Sequence, residues 1–547
     1  MTLSRTLITG VHIVDGTGAP ARTGEVLIEG DRIAAVDDMS GLPPPDVVLE
    51  GTGQVLTPGF IDVHSHGDFV LPADPGAEPK IRQGITTEVV GNCGLGLCPA
   101  NERVQTMYRQ YGQLFGGDGS ALCSDSLEDY RGRLAQAHIG VNVACLIPHG
   151  NVRCAVMGLE ERAPTATELS HMEALVAQNM DEGAFGLSTG LVYPPGAYSE
   201  TDELVSLAAV ASRGGGLYAS HVRDEGAGLV GAIDEAISIG EQAELPVQIS
   251  HHKAAGRMNW GKVRTTLGML DAARERGLVI HSDMYPYTAG STMLAAMIVP
   301  LWVFSAPTPE ESLARLADPK LRPRLVEEVK KRVAEHVVLP GILDRFPKRL
   351  LVPIILGKMA ELIVVGSVKK QRKYEGKTLR EVARMRGRPL IEALLDLLVE
   401  EDGAVTVVAH AMCEEDVQEV LRDAHTMVGT DGMPTLDGKP HPRAYGTYPR
   451  ILEHYVGRLG LFDLETAVHK MTGMPARKFR LQGRGVIEPG AMADLVLLRP
   501  ERIRDHSTYE DPRAFPEGID RVWVSGETVF VDGRMTGARP GSVLHPG

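Results

Sequence analysis

Two histidines at the end of a short apolar run are the residues of this sequence best placed to do chemistry. His64 and His66 lie in the stretch PGFIDVHSHGD, which covers residues 58–68. Side chains two residues apart on a β-strand point to the same side, so both imidazoles would converge on one point. A metal ion needs such convergence, since imidazole nitrogen is a common zinc ligand. Taken alone, the stretch also fits two surface histidines at a strand end.

Further metal-capable side chains follow strand-like runs elsewhere in the chain. Cys93 follows TTEVVGN, His221 follows GLYAS, His251 follows PVQIS and Asp431 follows MVGT. The spacing from His66 to Cys93 is 93 − 66 = 27 residues, and that from His221 to His251 is 251 − 221 = 30 residues. Both are close to the length of one strand–helix unit. Parallel strands would bring these side chains to one end of a barrel, so the pattern predicts a metal site.

The middle of the chain alternates apolar runs with amphipathic segments, which must position these side chains. The runs include ITTEVVGN, GVNVACLIPHG, GAFGLSTG, GLYASHV, LPVQISHH, GLVIHSDMYP, VTVVAHAM and TMVGTDG. Segments such as ATELSHMEALVAQNMDEG lie between them. Repeated strand–helix units indicate a parallel sheet with helices outside. About eight strands predict an α/β fold of the (β/α)8 barrel type, with function at the carboxyl ends of the strands.

Both ends of the chain have a different sequence pattern from the middle. Short strands broken by Gly and Asp occur in TLITGVHIVDG near the start and in IDRVWVSGETVFVDGR near the end. Such strands and turns are typical of antiparallel sheets. They predict a small β-sandwich domain formed from residues 1–57 and 482–547, beside a catalytic barrel of residues 58–481.

Residues 292–352 interrupt the barrel pattern. They contain the highly charged, helix-like stretch TPEESLARLADPKLRPRLVEEVKKRVAEH. This predicts a helical insertion within the barrel. The insertion could be a lid over the strand ends or a solvated decoration without a catalytic part, and the sequence leaves both explanations open.

Composition restricts the classes of partner and the location. The 547 residues include 56 Lys and Arg against 71 Asp and Glu, a formal net charge of −15. This argues against nucleic acid or an anionic membrane as the main partner. No secretory signal and no apolar run of 18 residues is evident, and the six cysteines are sparse. We therefore expect a cytoplasmic protein with reduced thiols, while the oligomeric state stays open.

Several ordered motifs resemble one known family. The His-x-His after the first strand, the two later single histidines and the last-strand Asp are similar to the amidohydrolase superfamily. More specifically, GNCGLGLCP, GAFGLSTGLVYPPG, SHVRDE, SHHKAAG, YPYTAGSTML, GTDGMP and HPRAYGTYPR resemble the N-acyl-D-amino-acid deacylases, or D-aminoacylases. The resemblance implies a zinc-dependent amidohydrolase acting on small N-acyl-D-amino acids. It would release a carboxylic acid and a free D-amino acid.

Many binuclear amidohydrolases bridge their two metal ions with a carbamylated lysine on a middle strand, and this sequence departs from that pattern. This chain has no lysine between Lys80 and Lys253. In the D-aminoacylase group a cysteine after Gly-Asn takes that place, and here this is Cys93. Thiolate is a good zinc ligand. Glu88 is the rival candidate for the bridge.

The resemblance also implies how the ligands divide between two positions. Cys93, His221 and His251 would hold one zinc tightly. His64 and His66 would then form a second, weaker position.

A base and a substrate site complete the expected active site. Asp431 would be the base, because GTDG ends a strand and Gly432 leaves room for close backbone approach; Asp283 is the alternative base. Arg and Lys suit a substrate carboxylate through charge-assisted hydrogen bonds. The resemblance supports four substrate-binding candidates, namely Lys253, Arg443, Tyr193 and Tyr285. The alternative functions are a cyclic-amide hydrolase of the hydantoinase or dihydroorotase type and a non-enzymatic binding protein on a barrel fold.

Overall fold

The computed structural model describes residues 4–111, 123–306, 308–336, 348–433 and 438–547. Within these residues, two sheets of parallel strands together form a ring. The strands of this ring are Phe60–Asp62, Ile85–Val90, Asn142–Cys145 with Ile147–Pro148, Gly186–Gly190, Leu217–His221, Val247–Ile249, Ile280–Met284 and Thr426–Val428.

The ring closes at two points that join the two sheets. Asn142–Cys145 pairs with one neighbouring strand, and Ile147–Pro148, one residue further along, pairs with the other. These two segments therefore act as one strand. A parallel bridge between Ser65 and Gly432 then joins the last strand to the first. The result is the predicted (β/α)8 barrel, and this part of the prediction is confirmed.

Helices follow the barrel strands and pack outside them. Ala166–Asp181 shows why the sequence forms them. The Thr165 hydroxyl accepts a hydrogen bond from the Glu168 N–H, and the Glu168 carboxylate accepts one from the Thr165 N–H. This capping box satisfies two backbone donors that a helix start leaves unpaired. The barrel and carboxyl-terminal helices are Glu78–Ile81, Glu102–Tyr111, Leu127–Ala137, His149–Met157, Ala166–Asp181, Thr201–Arg213, Leu229–Gln242, Lys262–Glu275, Glu414–Arg422, Arg443–Arg450, Leu464–Met471 and Gly473–Lys478.

A nine-stranded sheet takes its strands from both ends of the chain. Leu495–Leu498 pairs antiparallel with Val55–Pro58, so the carboxyl-terminal strands continue the amino-terminal ones. Trp523 from the end of the chain packs with Ile8 and Val11 from its beginning. The strands are Arg5–Ile13, Arg22–Glu29, Arg32–Val36, Val47–Glu50, Val55–Pro58, Leu495–Leu498, Ile519–Val524, Glu527–Val531 and Arg534–Met535.

A long insertion separates the seventh and eighth barrel strands, Ile280–Met284 and Thr426–Val428, which pair directly with each other. It contains a three-stranded antiparallel sheet of Gly290–Met293, Val405–Ala409 and Ile363–Val368. Its helices are Leu294–Ile298, Leu301–Phe304, Pro309–Ala317, Arg322–His336, Lys348–Leu362, Leu379–Arg386 and Leu390–Glu400.

The structure differs from the sequence-based strand list at one place in this insertion. The run VTVVAHAM was expected in the barrel, but Val405–Ala409 is the central strand of the three-stranded sheet. An apolar run buried on both faces looks the same in either sheet. The predicted insertion, 292–352, lies within the observed one, and its residues 307 and 337–347 fall outside the described part of the chain.

Two negative findings apply to the described residues. No helix among them combines the length and apolar character needed to cross a bilayer. None of the six cysteines, all of which are described, forms a disulfide bond.

A buried lysine lies at the amino-terminal end of the barrel, opposite the strand ends that carry the site. Lys478 Nζ donates hydrogen bonds to the carbonyl oxygens of Val247 at 2.7 Å and Val279 at 3.2 Å. Burial, with a smaller effect of Arg274, lowers the pKa of Lys478 to about 7. The neutral amine is favoured because the charged form loses its hydration.

This lysine predicts a pH-dependent stability. The unfolded chain binds the Lys478 proton up to a pKa of about 10.4 and the folded chain releases it near pH 7, so stability rises with pH between these values. We expect the free energy of unfolding of the wild type, relative to Lys478→Met, to increase by about 2–3 kcal/mol from pH 7 to pH 9.5. Urea unfolding at both pH values measures it. Lys377→Met, at an exposed lysine, is the control, and equal pH slopes in all three proteins would contradict the prediction.

Candidate metal centre and active site

Six predicted site residues come together at the carboxyl end of the barrel, where side chains following parallel strands face the mouth. His221 ends the strand Leu217–His221, and His251 follows Val247–Ile249 by two residues. None of the six is more than 7% exposed. The residues are His64, His66, Cys93, His221, His251 and Asp431.

Cys93 lies between imidazole rings. Its Sγ is 3.2 Å from Nε2 of His64 and 3.6 Å from Nε2 of His251. Nε2 of His251 is 3.0 Å from Nδ1 of His221. The ligand atoms of His64, Cys93 and His251 all lie within 4.8 Å of one another. Imidazole nitrogen and thiolate sulfur form a donor set that fits zinc.

A second group of possible ligands shares His64 with the first. Asp431 Oδ1 is 3.6 Å from Nε2 of His64 and 3.5 Å from Nε2 of His66. The ligand atoms of these three residues also lie within 4.8 Å of one another. This nitrogen and oxygen set fits a divalent cation, with Cys93 close enough to His64 to serve both positions.

The Cys93 side chain is held as a thiolate. Burial alone would raise the pKa of the thiol, but the charge of His64 and hydrogen bonds from His221 and His251 outweigh burial and hold the pKa well below its usual value. The thiolate is the form that binds metals. Burial instead raises the pKa of Cys98 well above its usual value, so Cys98 is a protonated thiol packed in the interior.

Glu88, the rival candidate for the ligand that bridges two metal ions, is paired with Lys80 and Ser65. Its Oε2 lies 3.0 Å from Lys80 Nζ and accepts a hydrogen bond from the Ser65 hydroxyl. The Glu88 carboxylate is thus occupied by these two partners, and it belongs to neither of the two groups of converging ligand atoms described above.

Comparisons with known proteins show the family to which the chain belongs. The sequence profile of the amidohydrolase family matches residues 49–530. The chain belongs to the amidohydrolase family. It is 36% identical to D-aminoacylase of Alcaligenes xylosoxydans xylosoxydans over 541 residues, which are 98% of this chain and 97% of the relative. The resemblance to the N-acyl-D-amino-acid deacylases is therefore confirmed.

Solved structures match this amidohydrolase over its length. A structure of D-aminoacylase, from work on one-metal activation and second-metal attenuation of its binuclear centre, has 35% identity, a TM-score of 0.82 and 99% coverage of both chains. A structure of N-acyl-D-glutamate deacylase from Bordetella bronchiseptica, bound to zinc and a phosphonate inhibitor, has 32% identity, a TM-score of 0.81 and 100% coverage of both. A D-hydantoinase structure, at 13% identity and a TM-score of 0.54, shows a shared fold alone.

Arg443 of this amidohydrolase is paired with Asp431. Arg443 Nη1 lies 2.7 Å from Asp431 Oδ2, and its guanidinium group lies 4.6 Å from the centre of the Tyr285 ring. Burial would raise the pKa of Asp431, but Arg443, followed by His251, holds that pKa well below its usual value. Asp431 is therefore ionised and able to accept a proton. Arg443 was expected at a substrate carboxylate. The structure shows that it pairs with Asp431, and its contact with substrate stays a prediction.

Lys253 is paired with a carboxylate that the sequence analysis missed. Lys253 Nζ forms an ion pair with Glu225, whose Oε1 also lies 2.9 Å from Nδ1 of His251. A carboxylate behind a ligating histidine fixes the orientation of the ring. Glu225 is the last residue of the motif SHVRDE, so its acid was visible in the sequence but its partners were not.

Tyr193 and Tyr285 stand on two sides of the centre. The Tyr193 ring lies 5.2 Å from the His221 ring, and its hydroxyl is 3.1 Å from the Thr292 hydroxyl. The Tyr285 ring lies beneath Arg443 and 5.6 Å from Lys253 Nζ. Nine of the ten predicted site residues line one cavity of about 910 Å³, and the tenth, His64, is buried behind them.

Asp283, the alternative base, has other partners. Its Oδ1 accepts a hydrogen bond from the His251 backbone N–H at 2.7 Å, and its Oδ2 accepts one from the Gln248 side chain at 2.8 Å. Oδ1 also lies 3.3 Å from Nδ1 of His64. These contacts orient two histidines, and Asp283, unlike Asp431, is absent from the lining of the cavity.

A buried lysine beneath the centre was also missed. Lys80 is 2% exposed, and its Nζ donates to Asp62 Oδ2 at 2.6 Å, Ser65 Oγ at 2.8 Å and Thr430 Oγ1 at 3.2 Å. Asp62 also accepts a hydrogen bond from the Thr430 N–H at 2.8 Å. The network fastens the segment carrying His64 to the segment carrying Asp431.

Removing this lysine tests its importance. Lys80→Met leaves the carboxylates of Asp62 and Glu88 buried without their cation, and breaking such a pair typically costs about 3–5 kcal/mol. We expect a loss of this size in the free energy of unfolding, measured by urea denaturation.

The double variant Lys80→Met/Asp62→Asn should regain part of the loss, because one uncompensated charge is then removed. Lys377→Met serves as the surface control. A loss in Lys80→Met no larger than that of this control would contradict the role assigned to Lys80.

Proposed function

We propose that this amidohydrolase uses zinc to hydrolyse the amide bond of N-acyl-D-amino acids, giving a carboxylic acid and a free D-amino acid. The supporting observation is a buried thiolate, Cys93, among imidazoles beside the ionised Asp431, in a chain 36% identical to D-aminoacylase. The cyclic-amide alternative is supported by fold similarity alone, and the chain lacks a middle-strand lysine.

The donor atoms suggest how zinc would be held. Cys93, His221 and His251 would form the tight position, and His64 and His66 a weaker one that shares the thiolate. Bound zinc supplies Lewis acidity, which polarises the amide carbonyl and lowers the pKa of water. The zinc-bound N-acyl-D-glutamate deacylase structure supports zinc as the metal, and the binuclear centre of D-aminoacylase supports two metal positions.

Asp431 would transfer the proton. Its Oδ2 faces Arg443, which leaves Oδ1, on the side of the histidines, to accept a proton from the attacking water. Asp431 would then return this proton to the amide nitrogen, which leaves readily only when protonated. Arg443 keeps the carboxylate ionised before each turnover.

The cationic and phenolic groups around the cavity would hold the substrate. Lys253 and Arg443 provide positive charge, and Tyr193 and Tyr285 provide hydroxyls for the carboxylate or the amide. The insertion lines the same cavity from Gly290 to Trp302, which supports the lid explanation over mere decoration. The cytoplasmic location expected from the sequence stays a proposal, and the six free cysteines support it.

The first test of this proposal removes the Cys93 thiolate. Cys93→Ala removes the ligand between the two imidazoles, so we expect zinc content, measured by mass spectrometry of the purified protein, to fall together with hydrolysis of N-acetyl-D-amino acids. Cys413→Ala, at a cysteine outside the cavity lining, should keep both. Full zinc and full turnover in Cys93→Ala would show that the thiolate is not a ligand.

The second test concerns the base. Asp431→Asn cannot accept a proton, so kcat should fall by about 10²–10⁴-fold while the tightly bound zinc stays near the wild-type level. Steady-state kinetics and metal analysis on the same preparation separate the two effects. If kcat were unchanged, the role would pass to Asp283.

A further inference from the structure

The cavity extends from the metal centre along the insertion. We call this extension the apolar arm and define it by the apolar residues of the insertion that line it, which are Met293, Ala296, Met297, Pro300, Leu301, Trp302 and Met359. The charged groups of the proposed chemistry, Lys253, Arg443 and Asp431, lie around the metal centre. Two charged residues of the insertion, Glu328 and Lys331, also line the cavity, and Glu328 accepts a hydrogen bond from the Trp302 indole. The lining between these two charged regions is apolar.

The arm is continuous with the metal centre and held by the barrel. The hydrogen bond between Tyr193 and Thr292 places the start of the arm beside the ring of His221. The Tyr198 hydroxyl donates to the carbonyl oxygen of Leu301 at 2.9 Å. At the far end, Arg324 lies 4.1 Å over the Trp302 ring. Contacts on both sides thus fix the wall of the arm.

The size of the cavity exceeds the needs of an N-acetyl amino acid. At about 910 Å³ it is near the upper end of the roughly 300–1,000 Å³ typical of drug-sized ligands. An acetyl group would leave the arm filled with water against methionine and tryptophan side chains. Methionine is flexible and polarizable, so it adapts to an alkyl chain that has no fixed shape.

We propose that the apolar arm binds a linear acyl chain, so that N-acyl-D-amino acids with medium-chain fatty acyl groups are preferred substrates. This rests on the proposed function. The D-amino acid's own side chain is the other apolar group available. The lining of the arm, however, begins at Met293, before the helix Leu294–Ile298, and continues past that helix to Trp302, an arrangement that suits an extended alkyl chain.

The test compares acyl chains on one amino acid. The holoenzyme is assayed with N-acetyl-, N-butanoyl- and N-octanoyl-D-leucine. Each buried methylene can contribute up to about fourfold in binding. With partial burial, we expect kcat/KM to rise at least about tenfold from the acetyl to the octanoyl substrate. Calorimetry should show octanoate binding at least tenfold more tightly than acetate.

Blocking the arm should abolish this preference. Ala296→Trp places a large ring in the arm, and we expect the octanoyl-to-acetyl ratio of kcat/KM to fall about tenfold. Ala314→Trp, at an exposed residue of Pro309–Ala317 on the same insertion, should keep the wild-type ratio. If Ala296→Trp does not fold, Met297→Asp replaces it, since a charge in the arm has the same effect on an alkyl chain.

The outcomes separate this inference from the proposed function. Turnover of N-acetyl-D-leucine without a gain for longer chains overturns the acyl arm and leaves the deacylase function standing. A second result would also overturn the acyl arm. In that result, the arm variant lowers kcat/KM for N-acetyl-D-phenylalanine relative to N-acetyl-D-alanine but leaves the octanoyl-to-acetyl ratio unchanged. The arm would then hold the amino-acid side chain. Absence of turnover for every acyl group overturns both proposals.

Discussion

The active site depends on the meeting of the first and last barrel strands. The backbone N–H of Asp431 donates to the carbonyl of His64 at 2.7 Å, and that of His66 donates to the carbonyl of Gly432 at 3.0 Å. The hydrogen bond between Asp62 and the Thr430 N–H spans 368 residues of sequence. Because the proposed base and two proposed ligands lie on opposite sides of this closure, the site cannot form until the barrel is complete.

Charge explains why such a closure would attract a cation. Asp283, Asp431, Glu225 and the Cys93 thiolate surround the histidines. Burial opposes charge on His66, yet its hydrogen bond to Asp431 raises its pKa to about 9. A proton bound to His66 therefore balances part of the negative charge of these groups when no other cation is bound. A divalent ion competes with those protons for the same lone pairs, which couples metal affinity to pH.

The sequence predicted the set of candidate site residues better than their surroundings. Strand-end spacing predicted that six residues would lie together, because a parallel barrel turns each strand end toward one face. They do so in the structure, and the residues are His64, His66, Cys93, His221, His251 and Asp431. The roles of Lys80 and Glu225 could not be read, since their partners come from distant segments. The strand Val405–Ala409 was misplaced because periodicity does not tell which sheet an apolar run joins.

The unusual backbone conformations at the site also could not be predicted from the sequence. Cys93, His251 and Asp431 have φ values of 55°, 36° and 46°, in the left-handed region that non-glycine residues rarely adopt. Such strain persists only where the surroundings impose it, and it concentrates at functional sites. Here the His251 N–H is held by Asp283 and the Asp431 N–H by His64.

The long insertion can vary without disturbing this rigid centre. Gly290 and Ala409 are paired with each other, so the chain leaves the barrel and returns to it at adjacent positions. The strands on either side, Ile280–Met284 and Thr426–Val428, pair directly as if the insertion were absent. The barrel therefore fixes the proposed metal ligands and the proposed base, while the insertion shapes the remainder of the cavity. Substitutions in the apolar wall can thus change the substrates that fit while the geometry of Cys93, His251 and Asp431 stays the same.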